Sequence, residues 1–210
     1  MFADLSVLFY DVVRLMRQIP RLPAAVFLPA VLIIIAWPLL RIGLNDERAA
    51  FMVALVAAIA LRFALQAETT IKKSRRRMSG RNTAIWTLIC GPGVLGLIIW
   101  ADDPLICQRF LSLYFLVMAA LYVMDVIDGR HALVRHFWPD AKMRSADAVL
   151  TRVLAVYNLA MVLLNETIVQ TASQTTWLLY FGLLPLLTHV MMVALLRTLR
   201  THFATPVRRR

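Results

Sequence analysis

The sequence has few of the residues and motifs on which most catalytic and metal sites are built. Only 2 cysteines occur among 210 residues, and Cys90 and Cys107 have neither metal-site nor CxxC spacing. The motifs GxSxG, HExxH, GxGxxG and the P-loop are missing. The histidines are scattered without metal-ligand spacing, at His131, His136, His189 and His202. We therefore expect no disulfide framework, no metal, no cofactor and no catalytic residue.

Acidic residues are also scarce, whereas apolar residues are in excess. The chain carries 23 lysines and arginines against 12 aspartates and glutamates, for a net charge of +11. Hydrophobic residues make up 60% and the mean hydropathy is +0.71, compared with ~45–50% apolar residues in soluble domains. The composition indicates an integral membrane protein. We interpret the positive charge as loop arginines that set topology, and we expect no binding to nucleic acid.

Six segments are candidate transmembrane helices, each near the ~20 apolar residues that a bilayer requires. They are residues 22–40, 49–65, 83–100, 110–127, 149–164 and 177–196. Arg62 and Arg152 fall near segment ends, where long side chains can snorkel. The sequence predicts an all-α integral membrane protein, a bundle of about six transmembrane helices.

The distribution of positive charge predicts the orientation of this bundle. Of the 23 lysines and arginines, 18 fall on one set of alternate loops and termini and 3 on the other. By the positive-inside rule both termini are cytoplasmic. Trp37, Trp100 and Trp177 then all fall at predicted outer ends, as in an aromatic belt.

The N-terminal residues follow a different pattern. Asp4, Asp11, Arg14 and Gln18 share one helical face within residues 2–19, and apolar residues occupy the other side. This pattern predicts a cytoplasmic amphipathic helix over residues 1–21 lying along the membrane; the alternative is a helix packed on the bundle. Residues 22–196 then form the six-span membrane domain and residues 197–210 a basic cytoplasmic tail.

A basic run lies in the second loop, "KKSRRRMSGR". We interpret it mainly as a topology determinant. Its side chains could also bind anionic lipids, through Lys72, Lys73, Arg75, Arg76 and Arg77.

The stretch "DVIDGRHA", residues 125–132, contains the strongest catalytic candidates. Asp125 and Asp128 are three residues apart and share a helical face, and carboxylates at membrane depth are functional candidates. The stretch resembles the opening of the CDP-alcohol phosphotransferase motif, whose aspartates hold a divalent metal. The rest of that motif is missing, at Leu133, Lys142, Ala146 and Leu150. The alternative is a structural pair at a helix end, facing Arg130, Arg135 or Arg152.

Three further features bear on function. "CGPGVLG", residues 90–96, could break a helix as in a small transporter, but the other half of the chain has no matching break. Thr151, Ala155, Asn158 and Asn165 fall near one face of the fifth segment and predict close, hydrogen-bonded helix packing. Two more polar residues are candidates. Glu166 is expected at the end of the fifth segment in a helix-end, inter-helix or partner-facing role, and His189 is expected to be packed and hydrogen-bonded.

The C-terminal half resembles the intracellular septation protein A family. The resemblance rests on "LNE" at residues 164–166, a short linker, Trp177, and then a G-x-x-P-L-x-T pattern from Gly182 to Thr188. Upstream, "GVLGLIIWADDPLI" and "RHALVRHF" are similar to that family's glycine-rich span and basic segment. The similarity covers roughly residues 83–196 in matching order.

This resemblance implies a non-enzymatic protein of the bacterial inner membrane, with a role in septation, cell-wall synthesis or membrane integrity. Its expected partners are the lipid bilayer and other membrane proteins of division or cell-wall synthesis. The resemblance carries over no catalytic residues.

Overall fold

The computed structural model describes residues 23–75, 92–137 and 141–203. These residues fold into helices, which confirms the all-α prediction. In chain order they are α1 (Ala24–Leu44), α2 (Glu47–Arg75), α3 (Val94–Ala101), α4 (Pro104–Ile127), α5 (Ala132–Phe137), a 3₁₀ helix (Ala141–Ala146), α6 (Asp147–Thr171) and α7 (Gln174–Phe203).

Within the described part of the chain, five helices are long and apolar enough to cross a membrane, namely α1, α2, α4, α6 and α7. This is compatible with a multi-pass membrane protein. Of the predicted third span, the described helix is α3, with eight residues. Residues 83–91 of that span lie outside the described residues, as do the predicted amphipathic helix at 1–21 and most of the basic run. A count of six spans therefore stays a prediction.

The start of α4 is set by a polar side chain that apolar patterning does not capture. Asp103 caps α4, because its carboxylate accepts hydrogen bonds from the backbone N–H of Leu105 (2.7 Å) and Ile106 (3.3 Å). Pro104 follows at the first helical position, where its missing N–H does no harm. The predicted start at residue 110 was therefore six residues too late.

The end of α6 corrects the prediction for Glu166. The helix continues past the predicted end at residue 164 to Thr171. The hydroxyls of Thr167 and Thr171 donate to backbone carbonyls one turn earlier, at 2.8 and 2.7 Å, so these polar residues stay within the helix. Glu166 lies inside α6, and the prediction that it ends the helix is wrong.

The helices pack as antiparallel neighbours. The most extensive contacts join α4 to α6, α1 to α2 and α1 to α7. Helices α1 and α7 approach closely at Gly182, where an added Cβ would lie 3.1 Å from Ile33 Cδ1 and 3.3 Å from Ala30 Cα. A larger residue at this position would force Ile33 or the α1 backbone to move by a few tenths of an ångström.

The outer surface of the described helices is strongly apolar. Large side chains such as Ile42, Ile127 and Leu163 are 70% exposed or more. Monomeric soluble proteins rarely expose so much contiguous apolar surface, so this surface is suited to lipid.

One end of the bundle carries the three tryptophans that the structure describes, Trp37, Trp100 and Trp177, and we call it the tryptophan end. Trp100 is 82% exposed there, as an aromatic belt predicts. Trp37 and Trp177 are buried instead, and Trp37 Nε1 donates to Thr175 Oγ1 at 3.2 Å. These two indoles join helices rather than meeting the membrane surface. We call the opposite end, where α5 and the 3₁₀ helix lie, the turn end.

Candidate functional site

A cluster of polar side chains lies between α4, α6 and α7 at the tryptophan end. We call it the polar cluster, and its members are the backbone oxygen of Gln108 and the side chains of Ser112, Asn165, Glu166 and Trp177. Sequence reasoning singled out Asn165 and Glu166, on α6. It did not identify Gln108 and Ser112, because their spacing on α4 does not show which helix they face.

Asn165 is the centre of the cluster and is fully buried. Its Nδ2 donates to the backbone oxygen of Gln108 at 3.0 Å and to Ser112 Oγ at 2.8 Å. Its Oδ1 accepts the indole N–H of Trp177 at 3.0 Å. The amide thus connects three helices with both of its donor hydrogens and one acceptor position.

Glu166 extends the cluster toward the surface. Ser112 Oγ donates to its Oε1 at 2.6 Å, and Arg109 Nε lies 3.9 Å from its Oε2. The Glu166 side chain is 32% exposed and that of Arg109 is 58% exposed, so their attraction is screened and contributes little. Ser112 itself is buried between the two helices. This arrangement suits a tie between helices better than an accessible nucleophile.

The indole of Trp177 separates the polar cluster from an apolar recess. The ring stacks on Phe181 at a centroid distance of 5.3 Å and packs against Phe51 at 5.7 Å. The recess has a volume of about 420 Å³ and lies between α2, α3, α4 and α7, with Cys107 and Tyr114 in its wall. A hydrogen bond and ion pair between Arg48 and Asp102 join α2 to the end of α3 nearby.

The carboxylate of Asp125 is hydrogen-bonded to backbone groups of the protein at the turn end. Its two oxygens accept the backbone N–H groups of Ala132 at 2.7 Å and Leu133 at 3.0 Å. Asp125 is buried and holds the first turn of α5, whereas Asp128 is exposed at the end of α4. The two aspartates therefore share no site. Across residues 23–75, 92–137 and 141–203, no group of three or more His, Cys, Asp or Glu side chains is arranged to hold a metal.

A second carboxylate at the turn end was missed by sequence reasoning. Asp147 is buried at the first position of α6, and its Oδ2 accepts from Arg135 Nε at 2.8 Å. Thr151 Oγ1 donates to the backbone oxygen of Asp147 at 2.7 Å and lies 3.1 Å from His131 Nδ1. The signal available in the sequence was an acidic residue at a helix start, where carboxylates are favoured.

The remaining candidate residues are placed apart from both groups. Asn158 is buried on the predicted face of α6, but its amide donates to Leu154 in its own helix at 2.7 Å, so it forms no bond between helices. His189 is half-buried on α7, and its Nε2 is enclosed without a hydrogen-bond partner in the described structure. The neighbouring Thr188 bonds to Tyr157 Oη on α6 at 2.7 Å.

Comparisons of the chain with protein-family models, with curated proteins and with solved structures found no match.

Proposed function

We propose that this chain is a multi-pass protein of the bacterial inner membrane that acts without catalysis, through contacts with other membrane proteins of septation or cell-wall synthesis. The proposal rests on the ordered resemblance of residues 83–196 to the septation protein A family. In this proposal the tryptophan end faces the periplasm and the turn end faces the cytoplasm.

One structural observation supports a scaffold over an enzyme. The carboxylates and amides that were candidates for chemistry are bonded within the fold: Asn165 and Glu166 join helices, and Asp125 holds α5. Side chains used in this way position helices and leave the apolar outer surface as the accessible feature. In a membrane, such a surface can bind another helix through close packing.

The residues that carry the resemblance also hold the helices together. Asn165 bonds to Trp177, Gly182 contacts α1, and Thr188 bonds to α6. A shared pattern at these positions supports a shared helix arrangement. Each of these matching residues therefore has a packing role in this chain.

In-cell photo-crosslinking tests the proposal. A photoreactive residue is introduced singly at three lipid-exposed positions on different helices, Leu39 on α1, Val53 on α2 and Leu163 on α6. A scaffold predicts capture of division or cell-wall membrane proteins from at least one face and not from all three equally. Capture of lipid alone at every position would refute the proposal.

A matched genetic experiment separates the scaffold from the phosphotransferase interpretation. The double variant Asp125→Asn, Asp128→Asn should leave membrane lipid composition unchanged, because Asp125 is committed to α5 and Asp128 stands apart from it. A change in phospholipid composition at normal protein abundance would favour the enzyme.

A further inference from the structure

We propose that the turn between α4 and α5 binds the phosphate headgroup of an anionic membrane lipid through Arg130 and Arg152. This site lies at the turn end, away from the polar cluster. It is independent of the protein contacts proposed above, because it requires only that α4 and α6 lie in a bilayer.

The chain reversal after α4 places Arg130 and Arg152 next to one contact between the turn and α6. Gly129 (φ 65°) and His131 (φ 50°) both adopt the left-handed conformation, which turns the chain back toward α6. His131 Nδ1 then meets Thr151 Oγ1 at 3.1 Å. Arg130 and Arg152 are the chain neighbours of these two residues, so they flank the contact.

The hydrogen-bond pattern at this contact fixes its direction. The single hydroxyl hydrogen of Thr151 is donated to the backbone oxygen of Asp147 at 2.7 Å. His131 Nδ1 must therefore carry the hydrogen in its own bond to Thr151. This bond holds the turn on α6 and fixes the spacing of the two arginine backbones.

Among the described residues, the charges around the contact leave the two arginines without a counter-charge. Asp125 is occupied by the backbone of α5, and Asp147 is occupied by Arg135. Neither Arg130 nor Arg152 forms an ion pair in the described part of the chain, and both are exposed. Exposed Asp128, two residues from Arg130, is the nearby acid that would compete with a bound anion.

The position of Arg152 favours a lipid as the anion. Arg152 lies five residues into α6, about 7.5 Å along the helix axis, within an apolar helix long enough to cross a membrane. An exposed arginine at such a depth directs its guanidinium to the headgroup layer. Guanidinium groups bind phosphate with two parallel hydrogen bonds, so two arginines can hold one phosphodiester.

Native mass spectrometry of the full-length protein in detergent tests the site. The measurement compares the apparent Kd of phosphatidylglycerol with that of phosphatidylcholine carrying the same acyl chains. Wild type should prefer phosphatidylglycerol. Arg130→Gln and Arg152→Gln should each weaken that preference about fivefold, which corresponds to ~1 kcal/mol for one basic side chain near an anionic surface.

The controls separate a local site from diffuse positive charge. Arg144, on the 3₁₀ helix, is exposed at the same end and is not a chain neighbour of His131 or Thr151, so Arg144→Gln should change the preference less than twofold. Asp128→Asn should strengthen the preference for phosphatidylglycerol. Arg152→Lys should retain part of this preference, and that result would show that the loss in Arg152→Gln does not come from misfolding.

Two results would overturn the proposal. The first is an Arg144→Gln loss as large as that of the two site variants, because the attraction would then be unspecific. The second is inorganic phosphate binding as tightly as phosphatidylglycerol, because the site would then read a free anion rather than a lipid.

Discussion

Replacing Asn165 with alanine should destabilise the helix bundle more than any other single amide removal in the described structure. The substitution deletes three hydrogen bonds, to Gln108, Ser112 and Trp177, and leaves the buried indole N–H of Trp177 without a partner. Because Asn165 and Trp177 are both buried, bulk solvent does not replace the lost acceptor.

The expected size follows from two contributions. Interhelical hydrogen bonds in membranes contribute about 0.6 kcal/mol each on average, so losing the two bonds to α4 costs about 1 kcal/mol. A buried donor left unsatisfied adds about 1–3 kcal/mol. We therefore expect Asn165→Ala to lower the free energy of unfolding by about 2–4 kcal/mol.

Reversible unfolding of the purified protein by dodecyl sulfate in mixed micelles, followed by circular dichroism, measures this loss. Asn158→Ala is the matched control, because Asn158 is equally an amide buried on α6 but bonds only to its own helix. A double-mutant cycle combines Asn165→Ala with Trp177→Phe, which keeps an aromatic ring but lacks the indole N–H. The cycle isolates the Asn165–Trp177 hydrogen bond and should give a coupling energy of about 0.6–1.7 kcal/mol.

Two outcomes would refute this reasoning. If the free energy of unfolding of Asn165→Ala lay within about 0.5 kcal/mol of the wild-type value, the three hydrogen bonds would not stabilise the bundle. If Asn158→Ala were as damaging as Asn165→Ala, burial of an amide rather than its connection of three helices would be the cause.

Three further predictions use the same unfolding assay. Gly182→Ala should lower the free energy of unfolding by about 1–3 kcal/mol, because its Cβ would lie 3.1 Å from Ile33 on α1. Gly96→Ala is the control and should be neutral or stabilising, because nothing lies within 4 Å of the added Cβ. Equal effects of the two substitutions would contradict the close approach of α1 and α7. Asp125→Asn should lower the free energy of unfolding by about 1–2 kcal/mol and speed amide hydrogen exchange in the first turn of α5, because an amide accepts poorly from two N–H groups. Asp128→Asn is the control and should change neither quantity. Unchanged hydrogen exchange in Asp125→Asn would argue against the cap. The Glu166→Gln protein should insert into the membrane normally, and its free energy of unfolding should fall by less than about 1 kcal/mol, because the amide oxygen still accepts from Ser112. Failed insertion would show that Glu166 belongs to a buried charge pair.

The long helices could be predicted from the sequence, but their partners could not. Apolar runs located α1, α2, α4, α6 and α7 because the thickness of a bilayer fixes the length of such runs. The spacing of Thr151 and Asn165 also placed both on the buried face of α6. Periodicity within one helix gives no information about the helix that faces it, so the bonds from Asn165 to α4 and α7 required the structure.

The role of Asp125 shows a different limit. Two aspartates three residues apart on a helix suggest a shared site, and a known motif begins in the same way. The outcome depends on the turn at Gly129 and His131, which brings the N–H groups of α5 back onto the Asp125 carboxylate. A change of direction over three residues decides the chemistry of that carboxylate, and no helical pattern encodes it.

The bonding of Asn165 also has a consequence for the order in which the chain is made. Its two donor hydrogens bond to α4, which leaves the ribosome before α6, so they can be satisfied as soon as α6 enters the membrane. The acceptor oxygen of Asn165 has no partner until Trp177, twelve residues later in the chain, is in place. A nascent chain that stops between α6 and α7 would hold one exposed polar oxygen in lipid. The final helix therefore completes the earlier pair, and a product truncated before α7 would lack the donor for this oxygen.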